Sequence, residues 1–293
     1  MAEIIQRDGT WAFDGSTVRI TPGLHRSVPL FRQTYGEIAV PLEAVSGIVY
    51  EPERKRGRLR LRLREGCDPL LQATGGRLPD AADPYRLTVD VDRAGVAEYV
   101  AEEVRQALLL EQTPKEPATT YLLPGPPVPV SVRSSDGTVS FDGTQVRIDW
   151  SDTSDRVKRA TGPRILAIGD LVQVEWLPNT GYEDGSMRFV TRETVFSKLP
   201  PGKDPYALDL WGSSRRDLLT ALVATAVTAR LPHPSTRAID DVERPRLAAA
   251  TASAPDHHDV LLRRLRELGE LHRDGVLTDE EFAMTKAAVL RGF

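Results

Sequence analysis

From Glu51 to Glu65 the chain carries seven basic and three acidic residues, a local net charge of +4. The basic ones are Arg54, Lys55, Arg56, Arg58, Arg60, Arg62 and Arg64, and from Arg58 onward they alternate with Leu59, Leu61 and Leu63. Alternation is the period of a strand, so the arginines share one face and the leucines the other. Guanidinium groups spaced two residues apart suit bidentate contacts to phosphates or to a partner's carboxylates. The same pattern describes a solvated strand face, or an edge whose charges deter aggregation. Both readings stand on sequence alone. A second basic cluster, Arg156, Lys158, Arg159 and Arg164, is diluted by Asp149, Asp152 and Asp155.

Catalytic material is thin. Of the five histidines, His25, His233, His257, His258 and His272, four lie beyond position 232. A nucleophile–base–orienter set would have to start from His25, with no local nucleophile signature. Cys67 is the only cysteine, which rules out an internal disulfide and a multi-cysteine zinc site. Glu270, His272, Asp274, Thr278 and Glu281 fall at EF-hand spacing around Gly275, but calcium favours a short carboxylate where Glu270 stands, and a capped helical turn explains the run better. We therefore expect no enzyme, metal or cofactor. With a net charge of −4 there is no global basic field, so no nucleic acid is expected as a partner.

The elements that must position these residues come in duplicate. Asp8-Gly9-Thr10, Phe13-Asp14-Gly15 and Val18-Arg19-Ile20 return 128 positions later as Asp136-Gly137-Thr138, Phe141-Asp142-Gly143 and Val146-Arg147-Ile148. Asp83-Pro84-Tyr85 is matched by Asp204-Pro205-Tyr206. Each copy opens on a hairpin around Asp-Gly, continues through short strands and closes on a helix, Val96 to Leu108 in the first and Leu219 to Ala226 in the second. Of the shared acids, Asp14 with Asp142 precede Gly and Asp83 with Asp204 precede Pro, so turn formation accounts for them. Tyr85 and Tyr206 begin strands and read as core aromatics, and Ser214 with Asp217 resembles a capping box.

The predicted organisation is a first module over 1–112, a Pro-rich linker over 113–130, a second module over 131–231, a flexible linker over 232–255 and a helical hairpin over 256–293. The proline run between the copies suggests a semi-rigid spacer. The hairpin, at about 38 residues, is below the size that usually buries a core alone. Its apolar stripe of Leu261, Leu265, Leu268, Phe282 and Val289 is therefore expected to meet a second copy or another protein. No signal-like or membrane-spanning run is seen, and a cytoplasmic location is expected.

The tandem modules, with Phe-Asp-Gly near each start, an Asp-Pro-Tyr turn and a closing helix, resemble the actinobacterial domain-of-unknown-function 4429 family. The tail, with Leu261, Leu265, Leu268, Gly275, Leu277, Thr278, Glu281, Phe282, Lys286 and Leu290, resembles a SHOCT domain. The first resemblance implies pleckstrin-homology-like (PH-like) modules, each a seven-stranded bent barrel capped by one helix. The second implies oligomerisation. The expected fold class is thus α+β: two tandem PH-like bent β-barrels, each capped by a C-terminal helix, plus a C-terminal helical hairpin. The expected function is a non-enzymatic binding scaffold that oligomerises through the hairpin. The alternative is a peripheral adaptor that binds anionic membrane through the basic strand and loop.

Overall fold

The computed structural model describes residues 1–194 and 199–236. In the first copy β1 (Ala2–Gln6), β2 (Gly9–Phe13), β3 (Thr17–Pro22) and β4 (Ile38–Pro41) form an antiparallel meander. A second sheet holds β5 (Val45–Glu51), β6 (Arg56–Leu63) and β7 (Arg86–Asp90), with β6 in the centre. Between strands lie two short helices, α1 (Leu30–Tyr35) and α2 (Pro69–Thr74), and α3 (Ala94–Leu110) closes the copy.

The second copy repeats this order. β8 (Val130–Arg133), β9 (Gly137–Phe141) and β10 (Gln145–Trp150) precede α4 (Arg156–Thr161) and β11 (Arg164–Ala167). The other sheet holds β12 (Leu171–Leu177), β13 (Gly185–Thr191) and β14 (Ala207–Leu210), and α5 (Ser214–Asp217) leads into α6 (Thr220–Thr228). These are four antiparallel sheets, of four and three strands in each copy, and not the closed barrels expected. Among the described residues no helix is long and apolar enough to cross a membrane.

Local chemistry explains why the copies agree. In both opening hairpins the Asp carboxylate accepts the two amides that follow the glycine. Asp14 takes Ser16 and Thr17 at 2.9 and 2.8 Å, and Asp142 takes Thr144 and Gln145 at 2.7 and 2.8 Å. Gly15 and Gly143 supply the left-handed backbone at φ +106° and +107°. Asp83 and Asp204 each accept the amide of the tyrosine two residues on, at 2.9 and 2.8 Å. These four acids build turns.

The proline-rich segment does not hold the copies apart. The Ala118 amide donates to the Glu65 carbonyl and the Leu122 amide to the Cys67 carbonyl, so this stretch lies along the first copy. Leu123 is buried within a hydrophobic cluster that runs through both copies, from Trp11 and Leu59 to Phe141 and Met187. α2 of the first copy lies against α6 of the second, and all nine residues of α6 are buried. Met1–Thr236 accordingly forms one compact unit. Prolines fix φ but place no limit on where the intervening leucines pack. The second closing helix also starts differently from expectation. The Asp217 carboxylate accepts from Ser135, Asn179 and the Gly212 amide rather than capping Ser214, and the helix breaks between α5 and α6.

Candidate functional site

The arginine-bearing segment is β6, and its alternation survives in three dimensions. Arg56, Arg58, Arg60 and Arg62 are exposed, whereas Gly57, Leu59 and Leu61 are buried. Being the central strand, β6 receives backbone hydrogen bonds on both sides, from β5 and β7. The arginines therefore project from the middle of a sheet face and do not guard an edge. Cross-strand partners share their face. On β5 these are Glu51, Val49 and Gly47, opposite Arg58, Arg60 and Arg62; on β7 they are Asp90, Thr88 and Arg86, opposite Arg56, Arg58 and Arg60.

Counter-charges are spread unevenly over this row. Arg56 pairs with Asp90 at 3.3 Å and Arg58 with Glu53 at 2.7 Å. Arg64, at the inner end, donates to the carbonyls of Glu43 and Glu116 and so fastens the linker to the sheet. Its role is structural. No ion pair among the described residues reaches Arg60 or Arg62. Arg60 even stands opposite a like charge, Arg86, which is held by Asp80 at 2.5 Å and Asp83 at 2.9 Å. Arg54 and Lys55 sit exposed on the turn before β6. The open positive charge is thus at mid-strand, where two guanidinium groups rise about 7 Å apart along the chain.

The second copy has no such row. On β13 the corresponding face carries Arg188, which pairs with the buried Asp204 at 2.9 Å and donates to the Leu199 carbonyl. The basic cluster of this copy is largely consumed internally. Lys158 is fully buried, with Nζ 2.5 Å from Asp136 Oδ2 and 5.0 Å from the Trp150 ring centroid. Arg159 donates to the Ser154 carbonyl, and Arg164 lies over the Tyr206 ring at 4.5 Å. Tyr206 is only partly buried under that cation, in contrast to Tyr85, whose hydroxyl donates to Asp68 at 2.8 Å in the core.

Burial pushes the Cys67 thiol up to about 12, which removes thiolate reactivity. Burial also lifts the Asp68 carboxyl to about 6, despite hydrogen bonds from the Leu70 and Leu71 amides and Tyr85. His25 bonds Ser27 two residues on, and His233 docks on the Gly66 carbonyl at 2.9 Å. The structure does not bring the two together with a nucleophile. The candidates Leu261, Leu265, Leu268, Phe282 and Val289, and the EF-hand-like run, lie outside the described residues. Sequence reasoning missed the buried cations: Arg32 in α1 and Lys158 in α4 are the third residues of equivalent short helices.

Comparison with known families finds two matches, at residues 11–105 and 139–228, to the family described as a domain of unknown function, DUF4429. Together these matches span more than half of the chain, and the chain belongs to that family. A search of curated proteins finds none that matches it.

Proposed function

We propose that this protein is a non-enzymatic binding scaffold in which tandem PH-like modules present one basic recognition face and a C-terminal SHOCT-like hairpin multiplies that face by self-association. The observation that carries the reading is the unevenly compensated row on β6, with Arg60 and Arg62 making no ion pair among the described residues on a central strand. The central strand fixes the spacing of these two arginines, and their planar, always-charged forks suit bidentate contacts to carboxylates, which favours an acidic partner surface. The PH-like assignment draws support from the order of each copy: a four-stranded meander, a three-stranded meander, then a helix. Self-association supplies avidity, since a weak single contact becomes strong when copies are linked at high effective concentration.

Sedimentation analysis of the full chain carrying both Leu265→Glu and Leu268→Glu tests the hairpin's part. The expected outcome is loss of the multimer with the modules still folded; an unchanged assembly sinks the reading. The membrane alternative rests chiefly on the β6 row, because in the loop cluster Lys158 is engaged internally while Arg156 and Arg159 stay exposed. It requires salt-sensitive co-sedimentation with anionic vesicles, abolished by R60E together with R62E.

A further inference from the structure

A recess of about 350 Å3 opens on the first copy, lined by Asp8, Ser27, Arg32, Arg58, Asp80, Arg86 and Thr88 among others. Arg32 is the residue that needs explaining. It is only 4% exposed, and its Nε and Nη2 are shut from solvent with no hydrogen-bond partner among the described residues. These two nitrogens form the edge of the guanidinium that takes an oxyanion side-on. A buried charge without a partner costs several kcal/mol, so a folded protein rarely keeps one for nothing.

The neighbouring charges do not fill the gap. Arg86 is tied to Asp80 and Asp83, and Arg58 to Glu53. Asp8 lies near enough to favour the charged form of Arg32, as does Asp83, but neither makes an ion pair with it. Burial outweighs both and lowers the guanidinium pKa. The second copy supplies an internal control. Its twin of Asp8 is Asp136, and its twin of Arg32 is Lys158; there the two meet directly, with Oδ2 also accepting the Asp209 amide at 2.9 Å. One copy satisfies its buried cation from within, and the other leaves it unsatisfied in the wall of a recess.

We infer that this recess binds a small oxyanion, a phosphate or carboxylate group, that completes the hydrogen bonding of Arg32. Because Nε and Nη2 are shut from the recess as they stand, the ligand requires the guanidinium to turn, and no side-chain hydrogen bond among the described residues holds it back. Ser27 and Thr88 offer hydroxyls beside it, and the carboxylates of Asp8 and Asp80 set a limit on how much negative charge the site accepts. The inference is independent of self-association, and neither Arg60 nor Arg62 enters it.

The test is thermal unfolding of the full chain in sodium phosphate and in sodium acetate, each against sodium chloride at equal ionic strength. We expect a saturable rise in Tm with at least one oxyanion, and the responding salt identifies the group. That rise should vanish in R32M, which removes the cation and keeps the volume. No oxyanion-specific rise would mean that the recess takes no such ligand and would overturn the proposal; so would a rise that persists in R32M. Should R32M fail to fold, R32K decides, because lysine keeps the charge without the side-on edge. Binding weakened by about tenfold or more supports the site, and unchanged binding overturns it.

Discussion

Replacing Asp136 with asparagine should be among the most damaging single changes in the second copy. Asp136 is 3% exposed and Lys158 wholly buried, so the desolvation of the pair is offset chiefly by its own contact. The side-chain amide introduced by D136N retains an oxygen for the Asp209 amide, which keeps the backbone bond made at 2.9 Å. What is lost is the counter-charge of Lys158. What remains beside it is the Trp150 ring at 5.0 Å, whose cation–π contact recovers on the order of 1–2 kcal/mol at best, and the more distant charge of Asp209, which makes no ion pair with it among the described residues. Breaking a buried pair by removing one partner typically costs about 3–5 kcal/mol. For a unit of this size that corresponds to a fall in Tm on the order of 10 °C. Urea unfolding followed by tryptophan fluorescence measures it. The double variant Asp136→Asn with Lys158→Met removes both charges, keeps the oxygen that serves the Asp209 amide and should recover most of the loss, since replacing the buried cation by an apolar side chain removes the uncompensated charge. A D136N cost below about 1 kcal/mol, or a double variant no better than the single one, would refute the account of this pair.

Three other outcomes follow from the geometry. Asp68 is fully buried with no cation beside it, and its folded pKa of about 6 stands above the ordinary 3.8. Its stabilising contribution is therefore complete below pH 3.8 and is lost as pH rises through about 6, an effect on the order of 3 kcal/mol. The stability difference between wild type and D68N, from urea midpoints, should fall across that window and level off above it; a flat difference would count against the burial argument. Gly57 and Gly185 are equivalent in the two copies, yet a Cβ at Gly185 would meet the Asn179 amide and Leu177 carbonyl at 2.5 Å, whereas one at Gly57 would meet the Tyr50 ring and hydroxyl. Backbone cannot step aside as a half-buried side chain does, so G185A should cost about 2–3 kcal/mol and G57A less; the reverse order by denaturant unfolding would contradict this. Leu123→Ala should cost about 2–4 kcal/mol, and the bonds around Leu122 and Leu123 should resist limited proteolysis in the folded protein, whereas rapid cleavage there would restore the free-spacer view.

Much of this architecture is legible because its signals are local. Asp-Gly turns, the Arg–Leu alternation and the closing helices each depend on neighbours within a few residues, and each appears where its spacing requires. The entry strands β1 and β8 give no such signal, for Ala2–Gln6 and Val130–Arg133 alternate too briefly to stand out from their surroundings. Long-range satisfaction is harder still. Lys158 reads as one of several solvated charges until Asp136, 22 residues earlier in sequence, closes on it. Aligning α1 with α4 exposes the signal, since Arg32 and Lys158 then occupy one position. The linker misleads for a related reason: its prolines speak for stiffness, while Leu122 and Leu123, which decide where it lies, are only two residues among many. On the candidate face, the arginine row is readable and the uneven pairing is not, because Glu53, Asp90 and the Glu116 carbonyl come from three separate segments.

Light scattering of the full chain beside a chain ending at Thr236 tests the scaffold account most directly. The account predicts a mass that is a multiple of 32.3 kDa for the full chain and a single-copy mass for the shorter one. Two monomeric masses would contradict it.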